Sequence, residues 1–342
     1  MAGQVRLKDI AERAGVSRVA VGKVLLGSGG DRIRVGAETE ALIRRVAAEM
    51  DYQPNVSAQT LAGKGSRTIG AVIDTFAPAV SYRRLAQLER ALEAKGFLLL
   101  VGQAHDDPEK LLAYTQAFAS RGIDGFVSFA HNYPEHREKL AGVFSRIPNT
   151  VFIEEPALSG CHYVKPDRDC EMAQSLQHLT GRGRKRVGLV LPFAGHAVGA
   201  SKLAGYRKWV KILGLPPGYE LVHMGGHVPD NLPGYAAAAA RELALDRHAD
   251  AVVAANDIHA AYLLKALRKL GVGVPDDIAL IGSDNIDVCE LTEPTLTSVD
   301  YNDGAIAEAA VDIVLRLIAL GRPPEEPLTR TIKPKLVIRE ST

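Results

Sequence analysis

Apolar positions follow two different rhythms along the chain. In the first fifty residues they recur at helical spacing. Ile10, Ala14, Val16, Val21 and Val24 cover one side of two short helices, predicted over Leu7–Ala14 and Ser17–Leu25. Gly15 falls between them, where a tight turn favours a residue without a Cβ. Ser17 stands where its side-chain oxygen can accept from the free N–H groups of the second helix. A third helix, Ala37–Met50, offers Leu42, Ile43, Val46 and Met50 to the same small core. The spacing fits a helix-turn-helix, whose second helix reads the DNA major groove, and equally an ordinary helical hairpin closed by Gly15.

From Thr68 the rhythm changes to short apolar runs alternating with helical stretches. Strands are predicted at Ile69–Ile73, Phe97–Val101, Gly125–Phe129, Thr150–Ile153, Val187–Leu191, Tyr219–His223, Ala251–Ala254 and Ile278–Ile281. Helices are predicted at Leu85–Lys95, Glu109–Ala119, Glu171–Leu179, Lys202–Leu213, Tyr235–Leu243 and Ile258–Leu270. Repeated strand–helix units imply parallel sheets covered on both faces. So many units suggest two sheets, with a ligand held in the crevice at their carboxyl ends.

Composition narrows the class. A length of 342 residues allows two or three compact units, and the net charge of +1 does not announce a nucleic-acid partner. The charge excess is local: residues 1–66 carry ten Lys/Arg against seven Asp/Glu. Cys161, Cys170 and Cys289 lack CxxC spacing, which argues against a zinc site or a disulfide framework and fits a reducing cytosol. The amino terminus shows no apolar signal core, and no uncharged run has the length of a membrane span, so a cytoplasmic protein with no membrane partner is expected. GxGxxG after a strand, GxxxxGK[ST], HExxH and GxSxG are all missing, and the histidines are scattered. Neither an enzyme nor a cofactor or metal site is expected.

The helical pair, together with Tyr52-Gln53-Pro54-Asn55-Val56-Ser57-Ala58-Gln59-Thr60-Leu61-Ala62-Gly63, resembles the amino-terminal region of the lactose-repressor (LacI/GalR-type) family of bacterial transcriptional regulators. Asn256-Asp257, Val274-Pro275-Asp276-Asp277-Ile278, Gly282-Ser283-Asp284-Asn285 and the ending Leu336–Thr342 extend the resemblance over the whole chain. It implies a small all-α head over 1–52, a hinge helix and linker over 53–66, and an α/β body over 67–342. The body would have the periplasmic-binding-protein-like fold of two parallel-sheet subdomains, one about 67–166 and 296–327, the other about 167–295 and 328–342. The function implied is a homodimeric repressor of an approximately palindromic double-stranded operator, controlled by a small-molecule effector such as a sugar. Among the alternatives, a transporter's solute-binding protein shares the body but leaves the head unexplained, and a doubly wound enzyme lacks a catalytic motif.

The same resemblance supplies site residues. Ser17, Arg18, Val19 and Lys23 belong to the recognition helix. Arg18 would grip a guanine edge, Val19 a thymine methyl group, and Lys23 a base or a phosphate; each is otherwise a solvated surface side chain. Asn55, Ala58 and Leu61 would carry the hinge into the minor groove, with Leu61 as a wedge between base pairs. Asp167, Lys202, Asn256 and Asp284 are expected to meet the effector, although Asn256 also makes a good helix cap and Asp284 a good turn residue. The chain departs from the family pattern at several points. Arg6 replaces the usual Thr cap of the first helix. Ala20 and Gly22 replace phosphate-facing hydroxyls. The loop from Gly27 to Val35 is longer than usual and carries Arg32 and Arg34, which either reach the DNA backbone or stay in water. Lys202 stands where many members have Arg and gives up a planar bidentate fork. No leucine heptad follows Arg339, so a dimer rather than a tetramer is expected.

Overall fold

The computed structural model describes residues 5–27, 33–52, 65–74, 78–105, 107–129, 137–147, 149–195, 197–224 and 231–342. The hinge positions Asn55, Ala58 and Leu61, and Arg32 of the long loop, lie outside them. The chain divides into two compact units: Met1–Thr68 with Arg121–Asp124, and Ile69–Ser120 with Gly125–Thr342.

In the first unit three helices, α1 (Leu7–Ala14), α2 (Arg18–Leu26) and α3 (Ala37–Glu49), close around Ile10, Ala11, Val21, Ile43, Val46 and Ala47. Ala14, Val16, Val24, Leu42 and Met50 pack against this core while remaining partly exposed. Gly15 adopts φ 65°, the left-handed conformation that lets α1 stop and the chain turn. Arg6 gives α1 no side-chain cap; instead the Asp9 carboxylate accepts the Arg6 backbone N–H at 2.8 Å.

The second unit holds two six-stranded sheets. The first runs in the order β11-β5-β4-β3-β1-β2, from β1 (Thr68–Ile73), β2 (Leu98–Gln103), β3 (Gly125–Ser128), β4 (Thr150–Ile153), β5 (His162–Pro166) and β11 (Thr329–Ile332). The second runs β12-β10-β9-β8-β6-β7, from β6 (Val187–Leu191), β7 (Glu220–Val222), β8 (Ala251–Ala254), β9 (Ala279–Ser283), β10 (Thr297–Asp300) and β12 (Lys335–Val337). Strands β3, β6, β8 and β9 are buried at every position, as their unbroken apolar runs require in sheets covered on both faces. The intervening helices that matter below are α4 (Pro78–Glu93), α5 (Pro108–Ser120), α6 (Arg137–Phe144), α7 (Arg168–Gly181), α8 (Ala197–Ile212), α9 (Leu232–Arg241), α10 (Asp257–Lys269), α11 (Val288–Leu291) and α12 (Asp303–Leu320).

The subdomain boundaries expected near the carboxyl terminus need correction. Strand β10 pairs in parallel with β9, Thr297 opposite Ile281, and so belongs to the second sheet rather than to a segment 296–327 of the first. Strand β11 pairs in parallel with β5, Thr329 opposite Tyr163, and so belongs to the first sheet rather than to 328–342 of the second. The chain therefore crosses after Pro166, between Asp300 and Asp303, and between Ile332 and Lys335. The physical reason is that α12 buries Ile306, Ala310, Val311, Val314 and Leu317 and packs on α4 and on β3, β4 and β5. Only β11, the strand after it, can extend that sheet; β12 then turns back antiparallel to β10.

Candidate functional site

On α2 the Ser17 hydroxyl accepts the Ala20 N–H at 3.1 Å, fixing the helix start beside the turn. Val21 and Gly22 face the core, Lys23 is partly buried, and Ser17, Arg18 and Val19 face water, with Val19 57% exposed. Helix α2 contains no acidic residue. Its neighbours differ: Lys8 pairs with Glu12 on α1, Arg44 with Glu40 on α3, and Arg13 and Arg45 with Glu49. Arg18 has no ion pair among the described residues. The head thus neutralises its flanks and leaves one short helix presenting a cation and a methyl-rich side chain together.

In the body, the carboxyl ends of both sheets meet around a buried charge network. Lys202 on α8 is 2% exposed. Its ammonium donates to Glu171 on α7, to Ser283 at 3.1 Å and to Tyr301 at 2.9 Å. The Ser283 hydroxyl donates to the same Glu171 oxygen at 2.8 Å. Arg168 reaches Glu154, just past β4, at 2.7 Å and lies over the Tyr301 ring, 4.4 Å from its centroid. Arg83 and Arg84 on α4 donate their Nε groups to opposite oxygens of Asp303, both at 2.7 Å. Arg83 also donates to the main-chain oxygens of Asp284 and Asn285, linking the first sheet's helix to the strand-end loop of the second.

Electrostatics separate these groups. Burial lowers the Lys202 pKa, although Glu171 works against it. Burial would raise the Glu171 carboxyl, but Lys202 and Arg168 outweigh it and hold the pKa below the usual carboxylate range. Burial, with Asp257 close by, pushes Asp284 up to about 7, and burial also raises Asp257. These neighbouring carboxyls cannot both ionise cheaply. His259 is pushed down to about 4 by burial and by Lys202, so it is neutral.

The four residues expected at the effector fare differently. Asn256 caps α10, its Oδ1 accepting the His259 N–H at 2.9 Å. Asp284 follows β9 with φ 102°, and Asn285 beside it has φ 49°. Two such residues in succession mark a strand end held against its backbone preference. Asp257 braces that loop by accepting from Ile286 N at 2.9 Å and from Ser298 Oγ at 2.5 Å. A Cβ at Gly282 would collide with Asp257 Oδ1, so the close approach needs glycine there. Asp167 caps α7 through Cys170 N (2.9 Å) and lines a cavity of about 370 Å³ with Glu154, Lys165, Arg168 and Ser201. Lys202 departs most from expectation. Three N–H donors meet three protein acceptors, so no donor is left for a ligand in this arrangement. Lys202, Asn256 and Asp284 gather at the ends of β8 and β9, while Asp167 stands at the first crossing.

Sequence reasoning missed Arg83, Arg84, Glu154, Arg168, Glu171, Tyr301 and Asp303. One signal was available. Val80, Arg84, Leu88 and Leu92 recur every fourth residue along α4, and all four are buried. Glu171 likewise sits in the stripe with Met172, Ser175, Leu176 and Leu179. A charge inside an apolar stripe needs a buried partner, and so marks a site.

Comparison with known proteins follows the same division. The family described as bacterial regulatory proteins, lacI family, matches residues 6–55, and the periplasmic binding protein-like domain matches residues 176–342. The chain thus joins a lacI-family helix-turn-helix domain to a periplasmic-binding-protein-like domain. Among relatives, the HTH-type transcriptional repressor PurR of Klebsiella pneumoniae (strain 342) is 27% identical over 337 residues, covering 98% of this chain and 96% of its own. PurR of Mannheimia succiniciproducens is 26% identical over 343 residues, covering 98% of both chains. The lac repressor dimer bound to operator and the anti-inducer ONPF shares the fold with a TM-score of 0.84 at 20% identity, covering 99% of each chain. The complex of the transcriptional regulator CelR with cellobiose aligns with a TM-score of 0.70 at 24% identity, covering 99% of this chain and 100% of the other. With that pair of domains the chain is a DNA-binding transcriptional regulator controlled by a small-molecule effector, not an enzyme. No described helix is long and apolar enough to cross a membrane.

Proposed function

We propose that this regulator represses transcription in the cytoplasm by binding an approximately palindromic operator as a homodimer, and that a small polar metabolite between the two sheets of the body sets its affinity for DNA. The single observation that carries the DNA side is α2: capped by Ser17, free of acidic residues, and exposing Arg18 and Val19 together. In this reading Arg18 reads a base edge, Val19 meets a thymine methyl group and Lys23 a base or phosphate. By family resemblance Asn55, Ala58 and Leu61 complete the interface.

A second copy suits the edge of the first sheet. Strand β2 is the outermost strand there and exposes Leu98 (70%) and Val101 (45%). An apolar edge strand left in water invites pairing, and a homodimer covers it. On the ligand side, Asp284 and Asn256 offer a carboxyl and an amide at strand ends, and Asp167 borders the adjoining cavity; Lys202 acts beneath them as a support.

Gel-shift titration of the purified protein against its own promoter region tests the reading. Specific binding should fall steeply with added salt, as phosphate contacts release counterions. Selection from randomised sites should return paired half-sites. Binding that is absent, or indifferent to sequence and salt, would sink it.

A further inference from the structure

The crevice holds buried polar atoms that the protein itself leaves unfilled. Arg84 is 8% exposed, and its hydrogen bond runs from Nε to Asp303. Nη1 lies 3.9 Å from the Glu154 carboxylate, an ion pair beyond hydrogen-bond reach, so the outer edge of the guanidinium makes no hydrogen bond among the described residues. The Nε of Arg168 is buried without a partner, as is Nδ1 of His259, itself 4% exposed. The Asp284 carboxyl accepts no hydrogen bond among the described residues, although Lys202, Arg84 and Arg168 all act on it electrostatically. Native interiors fill such groups, with ligand or water when protein does not.

Ligand classes can be weighed against this lining. An apolar ligand would bury unfilled donors, at about 1–3 kcal/mol each. A cationic ligand near Asp284 would also face Arg84, Arg168 and Lys202. A neutral sugar would satisfy the donors with uncharged acceptors. An oxyanion would satisfy them with charge-assisted bonds, which are roughly twice as strong, and a guanidinium edge matches a carboxylate in shape. Repulsion from Asp284 is relieved by its partial protonation near neutrality, and Glu154, 3.9 Å from Arg84, is already paired with Arg168 at 2.7 Å.

We infer that the effector is a small polyhydroxy acid, its carboxylate seated on the open edge of Arg84 beside Arg168 and its hydroxyls directed at Asp284 and Asn256. The inference rests on the reading of the body as an effector-binding domain. It gives Arg84, rather than Lys202, the part of the cation that the ligand meets. Asp303 keeps Arg83 at 2.7 Å when Arg84 is changed, so Arg84→Gln does not strand that carboxylate.

Isothermal titration of the full chain tests it with gluconate, glucuronate, glucose 6-phosphate, glucose and glucosamine, while ligand-free wild-type protein is run in parallel in a gel shift. One of the two sugar acids should bind at least tenfold more tightly than glucose, and Arg84→Gln should erase that preference while Arg84→Lys retains part of it. A preference for the phosphate over both acids, for glucose or for glucosamine overturns the inference. So does failure of both acids to bind at millimolar concentration, or an acid preference unchanged in Arg84→Gln. Loss of DNA binding in the parallel gel shift would instead count against the regulator reading. Intact DNA binding with a neutral or basic ligand would sink the polyhydroxy acid alone.

Discussion

The recognition helix and the crevice handle charge in opposite ways. On α2, Arg18 stands in water with no acidic residue on its helix, and in the reading proposed above its charge stays uncommitted until DNA arrives. In the crevice, Lys202 and Glu171 are buried and Arg168 is partly buried, and both cations pair with Glu171, so charge there fixes geometry before any ligand arrives. A cation in water costs little to keep and little to lose. A buried ion pair costs much to form and more to break on one side. The same residue types therefore serve recognition in one region and preorganisation in the other.

The sharpest way to break the comparison is at Glu171. Glu171→Ala leaves Lys202 and Arg168 without the carboxylate they share, and should cost about 3–5 kcal/mol of body stability in denaturant unfolding. Replacing the pair together, Glu171→Leu with Lys202→Met, should recover much of that loss, because no charge is then stranded. A single-site loss below about 1 kcal/mol would mean that the network is solvated and the contrast with α2 is false.

Next in size is the carboxyl pair. Asp284 and Asp257 hold protons more tightly in the folded chain than in the unfolded one. Between the ordinary value of 3.8 and about 7 the folded state therefore binds more protons, and stability should fall as pH rises through that window. The penalty is complete above the folded value and absent below the unfolded one. Asp284→Asn removes it, and should stabilise the body by about 2 kcal/mol at pH 8 while flattening the pH profile of thermal unfolding. A profile that keeps its slope in this variant would place the proton elsewhere.

The contrast also explains what the sequence discloses. The head is local: Ile10, Gly15, Ser17 and Val21 lie within a dozen residues, so spacing alone brings cap, turn and core together. Strands β4, β6 and β8 were legible to the residue because a strand buried on both faces must be a continuous apolar run. Strand β5, His162-Tyr163-Val164-Lys165-Pro166, escaped because its polar positions break that run. In the crevice, Lys202, Asn256 and Asp284 were named from family positions, and Arg84 and Glu171 showed only as charges set within apolar stripes. Its other members come from α4, the end of β4, α7, β10 and α12, and nothing local in the sequence says that these five meet. Even the subdomain boundary depended on a pairing choice, β11 with β5, that strand composition does not encode.

A smaller effect tests the exposed side. Arg18→Ala should relax base preference at one position in each half-site, worth about 1–3 kcal/mol of discrimination, and leave unfolding of the chain unchanged. Randomised-site selection measures it; an unaltered motif would show that Arg18 contacts phosphate or solvent only.

The smallest effect separates the start of α1 from the start of α2. Ser17 Oγ holds the Ala20 N–H at 3.1 Å, whereas Arg6 holds nothing with its side chain and relies on Asp9 accepting its own N–H. Ser17→Ala should therefore cost about 1 kcal/mol locally and speed amide exchange at Ala20 roughly fivefold in the full chain. Arg6→Thr supplies the missing acceptor at α1 and should stabilise that helix by a similar amount. Since α2 must be formed before Arg18 and Val19 are aligned, Ser17→Ala should also weaken operator binding by a factor of a few, whereas Arg6→Thr should not. Equal effects of the two changes on DNA affinity would mean that the whole head, and not the start of α2, is what the cap protects.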